Sequence, residues 1–151
     1  MKKTDYTALC AGAEALIDGV PHVTSNLANL SALIYEKLDA LNWAGFYLAE
    51  GGRLVLGPFQ GRPACIEIPW GKGVCGTAAE RNETQLVPDV HAFPGHIACD
   101  CASRSEIVVP LRRGGEVVGV LDIDSPFEGR FTEADREGLE ALCAVIERHL
   151  F

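Results

Sequence analysis

Residues Glu106–Asp124, EIVVPLRRGGEVVGVLDID, decide the fold class. Two apolar runs rich in β-branched residues flank Arg113-Gly114-Gly115, and glycines between such runs mark a β-hairpin. A second hairpin reads the same way upstream, where Glu50-Gly51-Gly52-Arg53 joins Asn42–Ala49 to Leu54–Phe59. Tight hairpins join antiparallel neighbours only, because a parallel pair needs a long crossover. Gly57-Pro58 is expected to end regular pairing in the second strand, since proline brings no N–H to the ladder. Short strands are expected at Cys65–Ile68 and Gln85–Val87.

Helices bracket these strands. Tyr6, Leu9, Ala13 and Leu16 recur at helical spacing in Thr4–Ile17, and Cys10 belongs to this segment. After the Gly19-Val20-Pro21 break, Val23, Leu27, Leu30, Ile34, Leu38 and Leu41 make a second apolar stripe. Thr132 with Asp135 predicts a capping box ahead of Leu139, Leu142, Ile146 and Leu150. The order of elements predicts an α+β domain, an antiparallel sheet with helices packed on it. At 151 residues the chain is one domain's worth, read as a single unit over 1–151.

Composition narrows the function. A formal charge of −8 leaves no basic footprint for phosphate backbones, so nucleic acid is not an expected partner. No apolar run approaches the roughly 18–20 residues of a membrane span, and the N-terminus lacks a signal-peptide core. A soluble, cytoplasmic protein is expected. In that compartment six cysteines point to metal or redox chemistry rather than a disulfide framework. Cys10 and Cys143 sit in helical apolar patterns and read as inert packing thiols.

The other four cysteines lie in polar or glycine-rich surroundings. In Gly95–Leu111, GHIACDCASRSEIVVPL, Cys99 and Cys101 flank Asp100, with His96 just upstream. Cys75 lies in Gly71–Ala79, GKGVCGTAA, a glycine segment opening a short helix without Walker spacing. Structural zinc is one reading for Cys65, Cys75, Cys99 and Cys101 with His91 and His96, but no C-x-x-C pair is present. Redox catalysis is the other. It needs one activated thiolate and a second thiol to resolve its sulfenic acid, which Cys99 with either Cys65 or Cys75 could supply.

Carboxylates add a second requirement. Asp122 and Asp124 leave one face of a strand about 7 Å apart. Glu106 joins that face opposite Asp122 if Arg113-Gly114-Gly115 is a three-residue loop, and leaves the other face if the loop is Gly114-Gly115 alone. Clustered acids beside a thiol suit a substrate bearing its own cation, such as an amino group. Their mutual repulsion keeps one of them protonated as a general acid. Trp43 and Tyr47 share a strand face and could wall an apolar or cationic group.

The segments NWAGFYL, LGPFQGRPAC, GKGVCGTAAE, VPDVHAFPGHIACD, SEIVVPL and GVLDIDS resemble those of the free methionine-(R)-sulfoxide reductases, a family built on a GAF domain. The resemblance runs from about Asn42 to the C-terminus. It implies a six-stranded antiparallel sheet flanked by helices, with substrate enclosed over one face. It implies Cys99 as nucleophile, Cys65 and Cys75 as resolving candidates, and Cys101 as lying outside the trio. Trp43 and Tyr47 would line the methyl and thioether end, while Glu106, Asp122 and Asp124 would bind the polar end. Thioredoxin would be the recycling partner, with no metal or organic cofactor. A homodimer could form through the first helix or the sheet face. The rival from another class is a non-catalytic GAF sensor for a small ligand such as a nucleotide, and a zinc-stabilised module comes third.

Overall fold

The computed structural model of the chain describes residues 2–96 and 102–151. Its elements run α1 (Tyr6–Ile17), α2 (Val23–Lys37), β1 (Trp43–Glu50), β2 (Arg53–Gly61), β3 (Glu67–Pro69), α3 (Gly73–Arg81), β4 (Gln85–Val87), β5 (Ser105–Arg113), β6 (Glu116–Ser125) and α4 (Glu133–Leu150). The six strands form one sheet in the order β3-β2-β1-β6-β5-β4, and every neighbouring pair is antiparallel. No helix among the described residues is long and apolar enough to cross a membrane.

Alternation along the strands separates two apolar clusters. Ala44, Phe46, Ile107, Val109, Leu111, Leu121 and Ile123 point to the face covered by α1, α2 and α4. Trp43, Tyr47, Val108 and Val120 point the other way, where Val74, Cys75, Ala78 and Ala79 of α3 lie over them. Helix α4 starts as its sequence predicts: Thr132 Oγ1 accepts from the Asp135 N–H, and the Asp135 carboxylate accepts from the Thr132 N–H at 2.9 Å. Asp135 also accepts from the Tyr6 hydroxyl at 2.7 Å, which ties α1 to the start of α4.

Departures from the sequence reading shape the sheet in two regions, the first being β2 and β3. Strand β2 does not stop at Gly57-Pro58; it pairs with β1 as far as Trp43↔Gly61, across a register shift between Gly45 and Tyr47. The irregularity takes up the proline, and the Pro58 carbonyl accepts from the Ser31 hydroxyl of α2 instead. Gly45 is required at this crossing, because a Cβ there would lie 2.3 Å from the Phe59 Cβ. The third strand is also shorter and later than Cys65–Ile68, covering Glu67–Pro69.

The β5–β6 hairpin is the second region. Arg113 pairs with Glu116 around Gly114-Gly115, whose φ values of 60° and 84° suit a type I′ turn. That two-residue loop alone would send Glu106 to the face opposite Asp122. A one-residue shift follows at once, however: Arg112 pairs with Val117 and Leu111 with Gly119, so Val118 is extra on β6. Glu106 therefore pairs with Asp124, and Asp122 with Val108. Neither expected loop gave this register, yet all three acids share one face.

Candidate active site

The α3 face of the sheet carries a pocket. Its floor is made by Trp43 and Tyr47 of β1, Glu106 of β5, and Asp122 and Asp124 of β6. Cross-strand register brings them together, since Trp43 pairs with Asp124 and Gly45 with Asp122. Helix α3 closes one side with Gly73, Val74 and Cys75, and Lys72 stands at the exposed rim. Ala64, Ile68, His96 and Ser103 complete the lining.

The aromatic wall is built in layers. Trp43 stacks on Tyr47 with centroids 5.9 Å apart and on Phe59 at 5.1 Å. Each polar edge is tied to the segment between β2 and β3. The Trp43 Nε1–H donates to the Arg62 carbonyl at 3.1 Å, and the Tyr47 hydroxyl donates to the Cys65 carbonyl at 2.9 Å. The rings are thus held by hydrogen bonds as well as packing.

The three acids are each more than nine-tenths buried. Burial, then the charges of Asp122 and Asp124, push the Glu106 carboxyl well above its usual range. Burial raises Asp122 as well, opposed by hydrogen bonds to its carboxylate from Glu106 and Cys75. Desolvation disfavours the charged form of any acid, and neighbouring negative charge adds to it, so the cluster holds its protons to higher pH than free carboxyls do. Asp122 Oδ1 is buried with no hydrogen-bond partner among the described residues.

The cysteines divide by environment. Cys75 is free and buried, with Sγ 3.9 Å from Glu106 Oε2. Burial and then the Asp122 and Glu106 charges push its thiol well up, so it is held protonated. Cys65 is disulfide-bonded, and its partner is none of the free thiols Cys10, Cys75 and Cys143. Cys10 and Cys143 have pKa values raised by burial, as packing thiols should. Cys99, the expected nucleophile, and Cys101 lie outside the described residues. His96 lines the pocket with its ring 6.2 Å from that of His91, and burial followed by His91 lowers its pKa.

Trp43, Tyr47, Cys75, Glu106, Asp122 and Asp124, all singled out by sequence, thus meet in one pocket. Sequence reading missed Phe59, which backs Trp43, and Lys72, the rim cation. An aromatic in a strand that pairs with the Trp43 strand was the available signal for the first. For the second it was a lysine between two glycines ahead of a helix.

A family model described as GAF domain matches residues 24–150. The free methionine-R-sulfoxide reductase of Escherichia coli strain K12 is 55% identical over 151 residues, covering 99% of this chain and 92% of that protein. The structure of fRMsr of Staphylococcus aureus in complex with substrate superposes with a TM-score of 0.95 at 52% identity, covering 100% of this chain and 99% of that one. The free methionine-R-sulfoxide reductase of Neisseria meningitidis, solved with its substrate, gives a TM-score of 0.93 at 41% identity over 99% of this chain and 92% of that one.

Proposed function

This chain belongs to the GAF-domain free methionine-R-sulfoxide reductases, which are oxidoreductases, and we propose that it reduces free L-methionine (R)-sulfoxide through a cysteine nucleophile. The observation that carries this reading is the meeting of Glu106, Asp122 and Asp124 with Trp43 and Tyr47 in one buried pocket. The substrate's ammonium group pairs with carboxylate there, where Asp122 Oδ1 has no hydrogen-bond partner among the described residues. Its methyl and thioether end lies against the Trp43 and Tyr47 rings. Lys72 at the rim is complementary to its carboxylate.

In the proposed cycle the Cys99 thiolate attacks the sulfoxide sulfur. A carboxyl of the Glu106–Asp122–Asp124 cluster gives its proton to the sulfoxide oxygen, which leaves bonded to the Cys99 sulfur. Methionine departs with its sulfur reduced, and Cys99 is oxidised to the sulfenic acid. A second thiol displaces water from that sulfenic acid and forms a disulfide. Cys65 is assigned this step, because it is already disulfide-bonded while Cys75 is free and held protonated. An external dithiol of the thioredoxin type takes up the oxidising equivalents by exchange. Thiols and carboxyls carry every step, so the cycle calls on no bound cofactor.

The test is thioredoxin-coupled NADPH oxidation with free methionine-R-sulfoxide, the S epimer and N-acetylated R sulfoxide. Turnover of the first alone, abolished in Cys99→Ser, is the expected result. Turnover of the acetylated compound would remove the carboxylates' role in ammonium recognition. No turnover of any, with thiols reduced, would return the chain to the sensor reading.

A further inference from the structure

Glu106 and Asp122 rise from adjacent strands of the sheet, and Cys75 descends on them from α3. Their ligand atoms, one thiol sulfur and two carboxylate oxygens, all lie within 4.8 Å of one another, and all three residues are buried. Two ligands at zinc distances of roughly 2.0–2.3 Å stand about 3.3–3.8 Å apart on a tetrahedral ion. The Cys75–Glu106 separation of 3.9 Å lies just outside that span. Side-chain adjustments of up to about 1.5 Å bring the three donors onto one ion. Asp122 is 5% exposed, and its Oδ1 has no hydrogen-bond partner among the described residues. A buried carboxylate oxygen without a donor invites a cation.

From this geometry we infer that Cys75, Glu106 and Asp122 form a site for a divalent cation of borderline softness, zinc or cadmium, which excludes substrate from the pocket. The donor set selects the metal. One thiolate and two carboxylates suit a four-coordinate ion that accepts sulfur, whereas calcium takes about six to eight oxygens. The fourth position faces the pocket, open to water. On binding, the ion replaces the Cys75 thiol proton and any proton held between the two carboxyls, and these pass to solvent. No bond other than the coordination bonds forms, and nothing is oxidised. Binding itself does not depend on what the pocket reduces. The competition with substrate does rest on the reductase reading.

The experiment uses the full chain with its Cys65 disulfide intact, which blocks turnover and leaves the sulfoxide as a plain competing ligand. Cadmium is titrated while thiolate-to-cadmium absorbance is followed, and zinc by calorimetry. One ion per chain is expected at micromolar or tighter affinity. The absorbance is lost in Cys75→Ala. In Asp122→Asn it persists, with affinity lowered by more than the roughly 10–100-fold that loss of an outer-shell partner costs. Circular dichroism shows whether each variant is folded, and either variant alone decides the matter. Saturating free methionine-R-sulfoxide raises the apparent dissociation constant for cadmium. Binding that is unchanged in either folded variant, or no binding at millimolar metal, overturns the site. Metal binding in a chain that turns over no sulfoxide once its thiols are reduced would sustain the site and sink the reductase reading. Turnover without metal binding would do the reverse.

Discussion

The Tyr47 hydroxyl donates to the backbone carbonyl of Cys65 at 2.9 Å, joining the wall of the pocket to the residue that carries the disulfide. Removing that hydroxyl while keeping the ring separates two roles. Tyr47→Phe is expected to release its first equivalent of methionine at close to the parent rate. Disulfide closure should slow by about 2–10-fold, the equivalent of about 0.5–1.5 kcal/mol for a hydrogen bond lost from a half-buried carbonyl. Trapping of the sulfenic acid with a dimedone-type reagent, read by mass spectrometry, checks this. Equal slowing of both steps would reduce Tyr47 to a wall.

Glu106 combines burial with two acidic neighbours, which raise its folded-state pKa. The sign follows from proton binding. Above the unfolded value of about 4.3 the unfolded chain has released a proton that the folded chain retains, so stability falls as pH rises toward the folded-state value. Glu106→Gln removes that fall. At pH 8 the variant should melt higher by about 2–8 °C, corresponding to about 1–2 kcal/mol. Its reductase activity should drop by at least about 100-fold if Glu106 supplies the proton. Melting curves from pH 4 to 8 beside the coupled assay test both halves.

Gly45 lies under Phe59 so closely that an added Cβ would meet the Phe59 Cβ at 2.3 Å. Gly45→Ala must part β1 from β2 and disturb the ring stacked on Trp43. A loss of about 1–3 kcal/mol is expected, visible as a lower denaturant midpoint at unchanged slope. The affinity for sulfoxide should fall with it.

Lys72 is the rim cation of a pocket whose floor carries Glu106, Asp122 and Asp124. An exposed charge of this kind is worth at most about 1 kcal/mol, so Lys72→Ala should raise KM by up to about fivefold with kcat nearly unchanged. The effect should shrink in high salt. A matching loss in kcat would instead place Lys72 at the reacting atoms.

Local chemistry made much of this fold legible. Thr132 and Asp135 announce the start of α4 because a capping box is satisfied within four residues. Gly114-Gly115 announces its hairpin because few other residues take two positive φ angles in a row. The register of that hairpin was beyond reach, since the extra residue Val118 is one more valine in a valine-rich run. The continuation of β2 past Pro58 was hidden for a related reason: the irregularity that tolerates proline depends on what the partner strand and Ser31 offer. Cys75 reached the acids through the packing of α3 on the sheet, a contact distant in sequence that no spacing rule encodes. The resemblance to a family placed Cys75 among the site thiols. Its 3.9 Å approach to Glu106 belongs to the tertiary structure.

The two-faced sheet imposes a parity on the gene. On β5 and β6 the even-numbered Glu106, Asp122 and Asp124 face the pocket, while the odd-numbered Ile107, Val109, Leu121 and Ile123 face the helices. On β1 the assignment is reversed, with Trp43 and Tyr47 toward the pocket and Ala44 and Phe46 toward the helices. A point substitution can therefore tune one face and leave the other alone. A single-codon insertion or deletion within a strand would exchange the two from that point on, burying carboxylates among leucines and turning isoleucines toward the substrate. Length changes in this lineage should accordingly be confined to the connections between strands, and strand length should drift far less than strand composition.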